Sequence, residues 1–540
     1  MPKRLWCVFL FAGLIIAGPQ LMSGAQHPAP DRKFQTSDRC LACHNGMTTS
    51  SGQDVSIGID WRSGMMASSS RDPYWQGSVR RESIDHPESR ADIEDVCSTC
   101  HMPMSHYEAK WQNRKAEVFS FLPFDADPKK SAAAEDGVSC SVCHQISREK
   151  LGTRESFNGG FVIETPKSPG NHPEYGPFAI QAGQQRIMQT STGGFHPTEA
   201  TAHIRDSALC GTCHTLITET LGEGGKVIGS FPEQMPYLEW LHSDYPNKST
   251  CQSCHMPEVH KAVPVTAVLG VPRTGVHRHT FVAANFFVEG MLNRYRHDLN
   301  VAALPEELTA ASERTVAFLQ SESARVSIRN VGMAPGTLQA QVFVQNLSGH
   351  KLPTAYPSRR AWLHLVVKDR DGHAVFESGA LNPDGSIQGN DSDADPTRFE
   401  PHYREITRSD QVEIYEPILK DSAGGVTTGL LKAVGYLKDN RLLPSGFAKD
   451  TAEKDIAVVG EAADDPDFTD AGSLVKYSVP IGDARGPFHV EAELWYQPIG
   501  FRWAHNLAPY DAAEPRRFVS YYESMASGSA MVLARAEATQ

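Results

Sequence analysis

The chain repeats one spacing, Cys-x-x-Cys-His, five times in its first half: Cys40, Cys43 and His44; Cys97, Cys100 and His101; Cys140, Cys143 and His144; Cys210, Cys213 and His214; Cys251, Cys254 and His255. Two thiols three residues apart can each form a thioether to one vinyl group on the same porphyrin edge, and the imidazole that follows then sits beneath the iron. The spacing predicts five covalently bound haem c groups, with the ten cysteines as attachment points and the five histidines as proximal iron ligands. Structural zinc on paired thiolates and reversible disulfides are the rival chemistries, and neither requires a histidine after every pair.

An iron with two protein ligands does little beyond gaining or losing an electron, whereas an iron with one keeps a position for a small molecule. The distal ligand therefore separates a carrier from an enzyme. His279, in His277-Arg278-His279 after the fifth motif, is a distal candidate. His203 is another, placed seven residues before Cys210 and so about two turns away on a helix; His196 is a weaker competitor. His350 stands at the end of a predicted strand, in a region with no haem motif of its own. A loop histidine there could reach across a domain interface and cap a haem, the alternative being a turn with a satisfied polar side chain. Met66, beside Met65, offers a thioether that would raise the reduction potential, with packing as the competing role.

The elements that must position these groups follow from composition and period. At about one haem per 55 residues, the first half cannot give each haem its own hydrophobic core, so the porphyrins must form the core, wrapped by short helices and loops with little sheet. Helices are expected over residues 71–82, 198–209 and 280–295, and loops over 169–178 and 192–197. A polar helix over 306–321 closes this region. Beyond it, alternating β-branched stretches over 325–329, 338–345, 361–368, 374–377, 412–417, 474–479 and 490–496 suggest a β-sandwich. The expected architecture is multidomain: a mainly helical and irregular multihaem domain over 26–300, a linking helix over 301–323, and a β-rich, sandwich-like domain over 324–540. The acidic loop over 384–396, with Asn390, Asp391, Asp393 and Asp395, has carboxylates of the kind that hold calcium. It lacks the Gly and Glu positions of an EF-hand, so a solvated turn is the stronger expectation.

Lys3 and Arg4 precede an apolar run from Leu5 to about Ala17, followed by the small-x-small pattern Ser23-Gly24-Ala25. This predicts a cleaved signal peptide over 1–25 that takes Cys7 with it, a retained anchor being the runner-up. The run is too short to span a bilayer as a mature helix. Covalent haem attachment takes place outside the cytoplasm, so a periplasmic or otherwise extracytoplasmic protein is expected. The formal net charge of −13 argues against nucleic acid and suits a basic redox partner.

Four stretches, Gly137-Val138-Ser139-Cys140-x-x-Cys143-His144, Cys251-x-x-Cys254-His255-Met256-Pro257, Trp61-x-x-Gly64-Met65-Met66 and Trp240-x-x-Ser243, resemble the multihaem cytochromes c related to the tetrahaem electron carrier of hydroxylamine oxidation. In that family a Trp-x-x-Ser-x-His pattern places an axial histidine at its last position; here Met66 and Tyr245 stand there. The second half, through Asn346-x-x-Gly349-His350-x-x-Pro353-Thr354 and Arg359-Arg360-Ala361-Trp362-Leu363, looks like a C-terminal domain found on some exported multihaem proteins. No Cys-x-x-Cys-Lys motif of the pentahaem nitrite reductases occurs. The resemblance implies an exported pentahaem carrier that passes single electrons between a donor and an acceptor protein, free or as a subunit of a respiratory complex. The alternative is an oxidoreductase for a small inorganic nitrogen or sulfur compound at one haem with an open axial position.

Overall fold

The computed structural model describes residues 33–164 and 172–540, together with Met1. The expected signal peptide with Cys7 otherwise lies outside the described residues, as do residues 165–171.

The first half is built of short helices joined by loops. The sequence Asp72-Pro73 starts the helix Pro73–Asp85: the Asp72 carboxylate accepts hydrogen bonds from the Tyr74 and Trp75 amides at 2.8 and 3.2 Å, and Pro73 takes the first helical position. Further helices run over Arg90–His101, Pro103–Trp111, Pro128–Glu135 and Phe286–Arg294. This half holds more sheet than its composition suggests. Leu216–Leu221 and Val227–Gln234 form an antiparallel hairpin, and His172–Gly176 pairs in parallel with Phe195–Ala200, where loops were expected. The helix expected over 198–209 is not formed. Its span divides into the end of that strand, a 3-10 turn over Ala202–Arg205 and a new short helix, Ser207–Gly211. The Asp206 side chain accepts from the Ala208 amide at 2.9 Å, so it caps a fresh helix instead of continuing one.

The second half contains two five-stranded sheets. One orders Ala374–Ser378, Arg360–Lys368, His489–Gln497 and Met531–Thr539, with Ile414–Tyr415 beside Arg360–Lys368. The other orders Glu405–Ile406, Gly472–Pro480, Thr337–Asn346 and Ala324–Ala334, with Phe468–Thr469 beside Gly472–Pro480. Alternate residues of the central strands, among them Val342, Val344, Leu363, Leu365, Val475, Tyr477, Ala492 and Leu494, point into one shared core, which makes the pair a sandwich. The fold is therefore mixed and multidomain, helical and irregular first and β-rich afterwards.

That core does not stop at the sandwich. Tyr74, Phe286, Phe287, Val288, Met291 and Leu292 of the first half belong to the same apolar cluster. Helix Pro73–Asp85 forms the seam, lying along Ala513–Met525 from the far end of the chain. Phe518 packs on Tyr74 with ring centres 4.9 Å apart, and Arg80 makes two hydrogen bonds to Glu514 at 2.8 and 2.9 Å. Asp85 receives Lys432 at 2.7 Å and the Tyr510 hydroxyl at 2.9 Å. The linking helix Pro305–Glu322 is capped by Glu307, which accepts the Leu304 amide at 3.0 Å and the Arg62 Nε–H at 2.8 Å. No helix among the described residues is long and apolar enough to cross a membrane.

Phe518 is fully buried at this seam. Phe518→Ala is expected to cost about 3–5 kcal/mol and to lower the melting temperature of both halves together, read by Soret absorbance and by far-UV circular dichroism. A Soret transition left at its original temperature would show that the halves do not share a core.

Candidate functional site

Each Cys-x-x-Cys-His motif folds as about one helical turn. The His44 and His214 amides each donate to the carbonyl of the first cysteine of their motif at 2.9 Å, and the helices Cys140–Gln145 and Cys251–His255 begin on that cysteine. Positions i, i+3 and i+4 of a helical turn share one face, so both thiols and the imidazole of a motif point the same way. All ten motif cysteines and all five motif histidines line one continuous cavity of about 1410 Å³. Thiols of different motifs also meet there. Cys140 lies within hydrogen-bonding reach of Cys40, Cys210 of Cys251, and Cys213 of Cys100. Motif four thus adjoins motifs two and five directly, and Cys143 of motif three acts electrostatically on both of its thiols.

Four of the five motif imidazoles are held by backbone carbonyls. His44 donates from Nδ1 to the Val265 carbonyl at 2.6 Å, His101 to Ser69 at 2.9 Å, His144 to Tyr175 at 2.7 Å and His255 to Val282 at 2.5 Å. A bond of this kind fixes the tautomer and the ring plane and leaves Nε2 as the free lone pair. Trp75 stacks flat on His101, with ring centres 4.4 Å apart and planes within 5°. His214 is the exception, because its ring makes no hydrogen bond among the described residues. Burial pushes the His101 and His214 imidazoles down to about 4, and the others below their ordinary range, so all five are neutral near pH 7, the form that binds a metal.

Two motif histidines face a second imidazole. His279 stands opposite His144 with ring centres 6.4 Å apart and planes within 14°; His350 stands opposite His255 at 6.3 Å and 12°. A metal bonded at about 2 Å to the nearest nitrogen of each of two facing rings separates their centres by about 6 Å. The residues present therefore fit an iron held between two imidazoles at both places. His279 donates from Nδ1 to the His277 carbonyl at 3.1 Å and His350 from Nδ1 to the Lys351 carbonyl at 2.9 Å, which again frees Nε2. Burial holds the two rings at about 3 and about 4.

The loop that delivers His350 comes from the β-rich half and is anchored on the haem-motif half. Glu239, on the short helix Pro236–Leu241, accepts the Lys351 amide at 3.2 Å and the Thr354 hydroxyl at 2.5 Å, and pairs with Arg441 at 3.0 Å. Lys351 and Arg441 each reach Asp439 at 2.8 Å, which closes a buried network of two cations and two carboxylates. Burial opposes ionisation of Asp439, yet Arg441 and Lys351 hold its carboxyl well below the usual range. Because that pKa is depressed on folding, the stabilisation is present above about pH 4 and is lost as the pH falls below it. Tyr245 donates its hydroxyl to the Leu347 carbonyl in the same loop. A Cβ on Gly349 would stand 3.1 Å from the Tyr245 ring and 3.2 Å from Trp240, so the loop needs glycine to approach this closely. Tyr245 thus grips the loop that carries His350.

The remaining sequence candidates lie elsewhere. His203 sits on the 3-10 turn and donates from Nε2 to the Ile146 carbonyl at 2.9 Å, leaving only Nδ1 free, and no motif imidazole stacks opposite it. Met66 lines the cavity, and its carbonyl accepts the Val138 amide at 3.0 Å. The side chain of His196 lies outside the described residues. His277, set aside in favour of His279, also lines the cavity, with Nδ1 bonded to the Met256 carbonyl at 2.5 Å; its place two residues from His279 was the available signal. In the acidic loop, Asp393 pairs with Arg360 at 2.8 Å, Asp391 pairs with Arg398, and Asn390 caps the turn that follows at 3.1 Å.

Neither a protein-family model nor a curated protein matches the sequence. Among solved structures, the chain is similar to a penta-heme cytochrome c552 from Thermochromatium tepidum, with a TM-score of 0.53 and 16% identity over 95% of this chain and 100% of that one. The two proteins share a fold. At this identity the likeness concerns architecture: a helical and irregular half with a β-rich half joined to it.

Glu239→Gln keeps the shape of the side chain and leaves Arg441 and Lys351 with one carboxylate between them. The expected result is a loss of about 3–5 kcal/mol in thermal or denaturant unfolding, together with a new high-spin haem component as the His350 loop loosens. Unchanged stability and spectra would mean that the network does not hold the loop.

Proposed function

We propose that the protein is an exported multihaem c-type cytochrome that carries five covalently bound haems and passes single electrons between redox proteins. The observation that carries this reading is the convergence of ten thiols and five neutral imidazoles, from motifs spread over 216 residues of sequence, on one cavity, with two of those imidazoles faced by another at the span of a bound metal. Bound haem supplies reversible one-electron chemistry. The chain's own part is attachment through Cys40 and Cys43, Cys97 and Cys100, Cys140 and Cys143, Cys210 and Cys213, and Cys251 and Cys254. The proximal imidazoles are His44, His101, His144, His214 and His255, and the distal imidazoles His279 and His350 saturate the third and fifth sites. Thiol contacts join motif one to motif three and motif four to both two and five, and Cys143 of motif three acts electrostatically on both thiols of motif four, which supports a connected electron path with its junction at motif four.

The domain limits proposed from sequence, 26–300, 301–323 and 324–540, fit this division of labour, with the β-rich part delivering an axial ligand. The signal-peptide pattern and the site of haem attachment in cells support an extracytoplasmic location. The net charge of −13 supports docking to a basic partner.

Two measurements test the reading. Mass spectrometry of the mature chain is expected to show five haem additions, and a reductive titration is expected to consume five electrons per chain. Four or fewer additions would remove at least one motif from the path. A full complement of haem that accepts fewer than five electrons would argue against a connected carrier.

A further inference from the structure

We propose that Asp60 is a positioning residue for two haem sites at once. Through Arg278 it fixes the segment over residues 277–282, which carries the distal imidazole of the third site and the carbonyl that orients the proximal imidazole of the fifth. The inference rests on the reading above, with haem attached at the third and fifth motifs.

That segment has two tasks within a few residues. His279 faces His144 with ring centres 6.4 Å apart. Three residues on, the Val282 carbonyl accepts the His255 Nδ1–H at 2.5 Å, and the Val282 amide donates to the His255 carbonyl at 3.1 Å. One stretch of backbone therefore serves both sites, and a shift of that stretch moves a ligand in each. Its start is pinned behind motif five, where Val276–His277 pairs with Glu258–Val259 and the Arg278 amide donates to the Pro257 carbonyl at 3.0 Å. From His279 to Val282 the backbone is in neither helix nor strand. Phe281 there has a φ of +47°, a left-handed value rare for a bulky side chain.

Asp60 supplies the restraint that regular structure does not. Its carboxylate, on a residue 3% exposed, accepts the Arg278 Nε–H at 2.8 Å and an Nη2–H at 2.6 Å. A two-pronged pair of this kind fixes the plane of the guanidinium as well as its distance, and Arg278 directly precedes His279.

The anchor is itself braced. Asp60 belongs to the short helix Ile57–Arg62, whose Gly58 amide donates to the His44 carbonyl and Ile59 amide to Asn45 Oδ1, both at 3.1 Å. The Trp61 indole N–H donates to the Val138 carbonyl at 3.1 Å, two residues before motif three, and Arg62 pairs with Glu307 of the linking helix. Consecutive residues 60, 61 and 62 thus tie three separate parts of the chain to a helix seated on motif one. The chain leaving that helix also lies close to the segment, since a Cβ on Gly64 would stand 3.3 Å from the Thr280 carbonyl.

EPR of the oxidised holoprotein, with spins counted per chain, tests the proposal beside His279→Ala and His350→Ala, whose lost low-spin signals mark the third and fifth haems. Asp60→Asn keeps the side-chain shape and replaces one accepting oxygen with an amide that cannot accept from Arg278. It is expected to turn the His279-dependent signal high-spin in part, by up to one haem per chain. It should also shift the g values of the His350-dependent signal and leave the other low-spin signals as in the wild type. Asp60→Glu should restore part of both changes. Arg278→Lys keeps the charge and loses the fork, so it should give the same paired change, and it serves as the test if Asp60→Asn does not accumulate. Unchanged third and fifth haems in these variants would overturn the proposal. So would a change confined to one of the two, or one spread evenly over every haem, which is the mark of general loosening. A His279→Ala variant with the wild-type spectrum, or a third-motif peptide without haem mass, would instead overturn the reading on which the proposal rests.

Discussion

The span between two facing imidazoles is the constraint on which the rest of this structure depends. To hold an iron between them, as proposed, His255 and His350 would have to stand about two metal–nitrogen bonds apart; they come from opposite halves of the chain, with ring centres 6.3 Å apart and planes within 12°. Holding that distance requires both halves to move as one body. The structure meets the requirement in three ways: an apolar core that runs from the sandwich into the first half, a helix seam along Pro73–Asp85, and a buried charge network around Glu239 and Asp439. The β-rich half thus completes a site that the first half begins.

The same logic explains the polar character of so much buried structure. An imidazole that binds a metal must be neutral and must point one nitrogen inward, and a backbone carbonyl on the other nitrogen does both. Turns and loops of the first half supply three of those carbonyls, and the short two-stranded sheet at His172–Gly176 supplies the fourth. Val265, Ser69, Tyr175 and Val282 each lie well separated in sequence from the histidine they orient, His44, His101, His144 and His255 respectively. Irregular backbone and an unpaired strand position are therefore useful here, since the interior of a regular helix would already have committed the carbonyls that the imidazoles need. His214, which has no such carbonyl, stands apart in the same terms.

How much of this was legible in the sequence varied with the range of the interaction. The five motifs are local, and their positions on one helical face follow from the spacing alone. His350 and His279 drew attention as histidines in unusual company, and the alternating strands revealed the sandwich. Long-range pairings left no such mark. The strand Met531–Thr539 alternates Ala534, Ala536 and Ala538 with Arg535, Glu537 and Thr539, but alanine is a weak strand former, and the segment is a strand because His489–Gln497 offers it an edge. The helix expected around His203 failed on one residue, Asp206, whose side chain caps a new helix within the predicted span. Glu239, Asp439 and Arg441 look like surface charges in sequence. Only folding brings them together, and only then does their joint burial tie the His350 loop down.

The most direct test of the account is EPR of the oxidised holoprotein beside its His279→Ala and His350→Ala variants, with the spins quantified per chain. Each substitution is predicted to replace one low-spin signal with one high-spin signal, and the double variant to replace two. Variants that keep the wild-type spectrum would contradict the assignment of these imidazoles as iron ligands, and with it the role of the β-rich half in completing the fifth site.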